Sequence, residues 1–362
     1  MFLITHFFCL KKSYIFFFLS LLFIILSISK VESSTFKVND IKVTEPFNSN
    51  FKKQSVIDKA IIKAFEKLVI MTIPSEEMSK IKNYKASEIK NLIDSFNIKD
   101  EKFVDNNYNA TFEITFNKQN TFLFIEKKNI YPSIPNKKKV ILLPILVDNL
   151  SESVNVFNQN PFFSQWNSSK PNYHLIDYIL LPEDIDLVKI LNDNINNLEN
   201  YDFSEIIKKN NFNEYIICLI YKESDKFKIF SKIKFKDKLK IKSKVFLEKN
   251  ISSSENIENL INKIKLIYED EWKNINRINR SVKLPINLSI SSKNFKINEE
   301  FQNFLSSTDL VSKYLIKSFN NTDVNYKIIF NGSPKQFLSI AKNHKFNIET
   351  NEQIWKVKYS DE

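Results

Sequence analysis

Two stretches of this 362-residue chain carry residue types that could do chemistry. Glu183, Asp184 and Asp186 place three carboxylates within four positions. Such a group could divide acid and base roles between its members or hold a hard cation. His174 lies upstream and is the side chain whose ordinary pKa suits proton transfer near neutrality. A hydrolase built on Asp184, Asp186 and His174 is one reading. The other is structural, because the carboxylates fall where a helix is expected to begin and acids there favour the helix dipole. The only other histidine beyond the extreme N-terminus is His344, and no HxxxH or CxxC spacing accompanies either one, so no zinc set is expected. The lone glycine, Gly332, excludes phosphate-cradling, dinucleotide-binding and nucleophile-elbow loops. No catalytic residue, metal or cofactor is assigned.

The second stretch is Asn160-Pro161-Phe162-Phe163-Ser164-Gln165-Trp166, within a long loop over 148–171. Aromatic residues on a loop can form a partner surface, which makes Asn160, Pro161, Phe162, Phe163 and Trp166 the candidate binding residues. They can equally cover a sheet edge left by the preceding strand, the commoner fate of bulky aromatics.

With 53 basic and 42 acidic residues the chain carries a formal charge of +11 and a pI near 9.2. Its lysines are spread along every segment and cluster only at 137–139 and 226–244. A nucleic-acid reader would gather them on one face with aromatics between, so none is expected, while association with a membrane surface stays open. Abundant Lys, Asn, Ile and Phe beside one glycine has the look of AT-rich codon usage. A hydrophobic content of 43% and 14% aromatics exclude global disorder.

The elements that must position these groups begin with an apolar run over 14–28, preceded by Lys11 and Lys12. It predicts a secretory signal ending near residue 29 or 33, or an N-terminal anchor. Cys9 would leave with a signal, and Cys218 alone cannot form an internal disulfide. The pattern then predicts a strand at 36–45, a helix at 54–71, short helices near 74 and 87, a hairpin over 95–117 turning at 105–107, and a helix at 119–128. Pro132, Pro135 and three lysines mark a boundary. Residues 140–147, VILLPILV, predict a central strand, in which Pro144 suggests a bulge or a strand whose outer half pairs on one side only. A strand at 174–181, helices at 182–191 and 203–210, and strands at 213–221, 226–235 and 239–247 follow, the last two alternating lysine with apolar residues so that one face is buried. A long helix over 253–280 leads to a small split-βαβ unit with strands at 284–290, 324–330, 346–349 and 353–359 and helices at 309–319 and 334–343. Gly332 is expected at a positive φ.

Together these give an α+β fold of two or three small modules with mostly antiparallel sheets and helices on one face, joined by the long helix. The expected segments are 1–33, 34–131, 137–250 and 251–362. Three stretches, Ala64-Phe65-Glu66-Lys67-Leu68, Ser95-Phe96-Asn97-Ile98-Lys99-Asp100-Glu101 and Tyr108-Asn109-Ala110-Thr111-Phe112-Glu113-Ile114, resemble the DUF2066 family of exported proteobacterial proteins. The likeness is clearest over about 36–147. The family has no assigned activity, so the resemblance implies an address rather than a reaction: the periplasm, or the periplasmic side of the inner membrane. The expected function is a non-catalytic binding or assembly module for an envelope protein or polymer. The alternative is a hydrolase using the carboxylates near Asp184.

Overall fold

The computed structural model describes residues 35–148, 151–168, 174–223, 226–247, 253–279 and 282–360. The apolar run at 14–28 lies outside them. The fold is α+β, with three mostly antiparallel sheets. Residues Thr35–Asn279 form one compact unit, and the chain from Arg280 onward belongs to a second.

The first unit opens with β1 (Thr35–Pro46), α1 (Lys53–Thr72), a 3-10 turn (Ser75–Ile81) and α2 (Ala86–Lys90). β2 (Ile93–Val104), β3 (Asn107–Asn117) and α3 (Lys118–Glu126) complete this layer. The sheet order is β1-β3-β2, all antiparallel. Asp105 and Asn106, both at positive φ, make the two-residue turn between β2 and β3, as short polar side chains permit. The stripe Val56, Ala60, Ile61, Ala64, Phe65, Leu68 and Val69 is the buried face of α1. Its opposite wall is Tyr108, Ala110, Phe112, Ile114 and Phe116, the alternating buried residues of β3.

The central sheet contains β4 (Lys138–Asp148), β5 (Ser153–Asn155), β6 (Ile176–Leu180), β7 (Tyr215–Lys222), β8 (Lys226–Phe235) and β9 (Lys238–Leu247). β6 and β7 flank β4 in parallel, and β7, β8 and β9 continue as an antiparallel meander. This sheet departs from the one-sided cover expected for it. One face packs on α7 (Ser254–Ile275), and the other packs beneath α5 (Ile185–Asp193) and α6 (Ser204–Lys209). The cause lies in β4 and β7, which are apolar at nearly every position and so need two covers.

α7 belongs to this unit and spans the sheet rather than leading away from it. Ser253 caps its N-terminus by accepting from the Asn256 N–H. Its last turns carry a row of buried or half-buried charges, each with a different client. Glu269 accepts from the backbone N–H groups of Leu175 (3.2 and 3.1 Å) and Ile176 (2.9 Å), fixing the entry to β6. Asp270 accepts from the backbone N–H of Ser75 at 3.0 Å and from its hydroxyl. Lys273 donates to the Ile73 carbonyl at 3.3 Å, and the Trp272 indole N–H to the Asn136 carbonyl at 2.7 Å.

The Pro132–Asn136 stretch, expected as an exposed joint between modules, is therefore tied down. Ser133 N–H reaches the Thr72 carbonyl, Ile134 N–H reaches Asn276 and Ile278 N–H reaches Pro132. Backbone hydrogen bonds on both sides leave it no slack.

The second unit contains β10 (Leu284–Ser291), α8 (Phe295–Ser307), β11 (Val311–Phe319), β12 (Asp323–Phe330), α9 (Pro334–Asn343), β13 (Phe346–Glu349) and β14 (Trp355–Tyr359). Its sheet order is β11-β12-β10-β14-β13, with β10 and β14 parallel, so both βαβ crossovers are split by intervening strands. Residues 309–319, read from sequence as a helix, form β11 instead, hairpinned to β12. Helix α8, for which no element is expected from the sequence, fills the interval between β10 and β11, its Phe301, Phe304 and Leu305 buried. Gly332 does not have a positive φ. A Cβ there would lie 2.7 Å from the Phe330 ring and 2.6 Å from Gln336 Oε1, so the position is kept small by crowding.

Glu269→Ala should lower the stability of the Thr35–Asn279 unit by about 2–5 kcal/mol, since it strands two buried N–H groups. Glu269→Gln, which keeps one acceptor, should cost less. Urea unfolding with equal m-values checks this, and a loss below about 0.5 kcal/mol for the alanine variant would contradict the assignment.

Candidate functional site

The aromatic loop is built around a defect in β4. On one side β4 pairs with β7 without interruption from Ile141 to Asp148. On the other, β6 covers Lys138–Leu142 and β5 covers Leu146–Asp148, so Pro144 sits in the gap between them. Its missing N–H is harmless where no ladder partner exists; the one-sided stretch is the middle of the strand and not its outer half, which β5 and β7 both pair. Its carbonyl is the group left over, and Asn160 Nδ2 donates to it at 3.0 Å.

Asn160 is fully buried and uses both ends of its amide. Its Oδ1 accepts from Phe162 N–H at 3.0 Å, capping α4 (Pro161–Gln165), and Pro161 takes the first helical position, where no N–H is needed. The short helix then lays Phe162 and Trp166 into the core on the α7 side. Trp166 is 0% exposed, edge-on to Tyr178 at 5.7 Å and stacked with Tyr268 at 6.4 Å. Phe163 packs against the opposite core, edge-on to Phe157.

The candidate partner residues Asn160, Phe162 and Trp166 therefore present no surface to a partner, and Phe163 offers only a part-buried edge. Pro161 is partly accessible. The loop patches the sheet, and for Asn160, Phe162 and Trp166 the binding expectation is corrected to the covering role.

The acid cluster stands at the opposite end of β6 from His174. Asp184 Oδ1 accepts from the N–H groups of Asp186 (2.9 Å) and Leu187 (3.4 Å), capping α5. Glu183 accepts from the Asn158 side chain. His174 precedes β6, whose five residues alone span about 13 Å at 3.3 Å per residue. The three groups of the hydrolase reading do not converge, and no cluster of three or more His, Cys, Asp or Glu suited to a metal occurs among the described residues.

His174 instead neighbours the charged end of α7. Burial, reinforced by Lys265 and Lys273, pushes its imidazole down to about 4, so it is neutral at pH 7. Burial also raises the carboxyl pKa of Glu269 against the pull of its two backbone donors. Cys218 is a free thiol inside the core, pushed up to about 12 by burial and inert for that reason.

The feature that sequence reasoning missed is the outer strand of the central sheet. Residues directly opposite in an antiparallel pair share a face, so Lys240 and Lys242, opposite Ile233 and Ser231, point to the α7 side. There they hold Glu271 from both sides at 2.7 Å each. Burial opposes the charge on Glu271, yet the two lysines hold its carboxyl below the usual range.

The apolar residues of β9 are left on the open side: Leu239 is 53% exposed, Ile241 56%, Val245 52% and Leu247 79%. Alternation predicts one buried face, and β9 has none: Lys238, Lys242 and Lys244 are exposed as well, and only Lys240 and Phe246 are half-buried. The lysines of 226–244 are also divided, since Lys226, Lys228, Lys232 and Lys234 of β8 occupy the face opposite to the lysines of β9.

No family model matches the chain, and no curated protein matches it. No helix among the described residues is long and apolar enough to cross a membrane.

Two outcomes check the structural roles. Asn160→Ala should cost about 2–4 kcal/mol by orphaning the Pro144 carbonyl and the Phe162 N–H, and Trp166→Ala about 3–5 kcal/mol by opening a cavity. Melting curves unchanged in both would return the loop to the surface.

The second concerns His174. With a pKa near 4 folded and about 6.5 unfolded, it binds fewer protons in the native state across that interval. Its contribution to stability is complete above about pH 6.5 and lost as pH falls toward 4. Glu269, with a raised folded pKa, works in the opposite sense, losing stability as pH rises through that value. Between pH 7 and 4.5 the melting temperature of the His174→Gln variant should therefore fall less than that of the parent; parallel slopes would refute the half-buried neutral imidazole.

Proposed function

We propose that this chain is an exported cell-envelope protein, of the kind its resemblance to DUF2066 implies, acting as a non-catalytic binding or assembly module. The observation that carries this reading is β9: a full-length strand with an open apolar row and no strand pairing its outer edge among the described residues. Apolar residues grouped on an exposed strand mark a contact surface far more often than a reaction centre. The division of the 226–244 lysines between two faces weighs against a nucleic-acid groove, which needs its cations on one continuous surface. Capping accounts for Asp184 without any reaction.

The test combines address and chemistry. The tagged protein should be found in the periplasmic or inner-membrane fraction, and a photo-crosslinking residue placed in turn on β2, β9 and β11 should give a discrete heavier adduct from at least one of them. Asp184→Asn, which keeps the cap, should complement a deletion strain as fully as the parent. Loss of complementation with an unchanged melting curve, and no adduct from any strand, would replace this reading with the hydrolase.

A further inference from the structure

Among the described residues six strand edges could accept an added strand, and five are unsuited to it. β1, β2 and β11 are broken by register shifts, at Val38/Ile41 in β1, at Ile93/Ser95 and Ile98/Asp100 in β2, and at Val311/Lys313 and Ile316/Ser318 in β11. Such bulges twist an edge away from a partner. The edge shared by β5 and β6 is split between strands of 3 and 5 residues, and β13 has 4. β9 alone runs 10 residues with no bulge and no proline, in unbroken register from Lys226↔Leu247 to Phe235↔Lys238.

The chemistry along this edge alternates with period two. Lys238, Lys240, Lys242 and Lys244, followed by Phe246, line the α7 side, where Glu271 is the carboxylate bridged to them among the described residues, while Leu239, Ile241, Val245 and Leu247, interrupted by Ser243, line the open side. Resting on the binding-module reading above, we propose that β9 is a strand-addition site for an extended segment of a partner protein that alternates acidic with apolar residues.

Backbone N–H and C=O groups of the edge supply the pairing. The acids of the added strand fall beside the lysine row and its apolar residues beside the leucine, isoleucine and valine row. A one-residue slip would put acids against the apolar row, which fixes the register.

Charge decides against a second copy of this chain, because pairing β9 with itself sets lysine row on lysine row. A bilayer is disfavoured by the same free edge, whose polar backbone would have no partner in hydrocarbon.

The test uses the full chain and labelled ten-residue peptides: one alternating glutamate with valine, one alternating lysine with valine, and a scrambled glutamate peptide. The glutamate peptide should bind at least tenfold more tightly than the other two, with affinity falling as salt rises. Lys238→Glu combined with Lys244→Glu, at side chains on the exposed edge, should reverse the preference in favour of the lysine peptide while leaving the melting curve unchanged.

Equal binding of the three peptides, or no change in preference for the double variant, overturns the proposal. So does binding to phosphatidylglycerol vesicles with no peptide binding, which would make the face a membrane contact. Concentration-dependent dimers abolished by Ile241→Asp, with no peptide binding, would assign the face to self-association and overturn it equally. Adducts from β2 or β11 with none from β9 would leave the binding-module reading intact and remove this inference.

Discussion

Everything in the larger unit depends on the charged final turns of α7. From Glu269 to Asn276 successive side chains reach the start of β6, the 3-10 turn after α1, the outer strand β9 and the Pro132–Asn136 stretch. Burying carboxylates and lysines is costly unless each is hydrogen-bonded. Here each has a partner that belongs to another segment. The desolvation cost is thereby turned into a specification of which segments meet, and it explains why the N-terminal layer and the central sheet form one unit although two prolines and three lysines separate them.

How much was legible in the sequence varied with the kind of signal. Apolar stripes at helical spacing located α1 and α7 within a few residues, because each buries a single face against a sheet. The conflict between Pro144 and a central strand was visible too, but neither a bulge nor a one-sided outer half resolves it: the outer half is paired by both β5 and β7, and only the middle of β4 lacks a second partner. What the sequence could not show is that Asn160, sixteen residues on, would supply the missing hydrogen bond; a contact between a loop side chain and a strand carbonyl leaves no periodic trace. The aromatic motif was noticed for its composition, but its purpose is set by the gap it fills.

The C-terminal unit shows the opposite failure. Val311, Tyr314 and Leu315 imitate helical spacing, yet the segment pairs with β12 because the Asn320–Asp323 turn returns the chain on itself, with Asn320 Oδ1 accepting from the N–H groups of Thr322 and Asp323. Ile297, Phe301, Phe304 and Leu305 carried a true helical stripe in the neighbouring interval. Gly332 illustrates a different ambiguity: a glycine can answer to backbone conformation or to space, and here the Phe330 ring decides for space.

β9 is the case where periodicity gave the right element but not the buried face expected of it, since every residue of the strand is exposed or half-buried. Alternation states that two faces differ without stating which is covered. The choice falls to Glu271, which sits nearly buried on α7 beside the sheet rim and needs positive charge there. Turning Lys240 and Lys242 inward satisfies it, and because strand side chains alternate strictly, Leu239, Ile241 and Val245 must then point outward. Turning them inward instead would leave a buried carboxylate uncompensated, at a cost of several kcal/mol against roughly 1.5–3 kcal/mol for each apolar side chain fully covered. At a rim that α7 covers only in part, that apolar gain is a fraction of its full value. The open apolar row is thus the consequence of neutralising one buried charge, and the surface on which the proposed function rests follows from the same helix that holds the unit together.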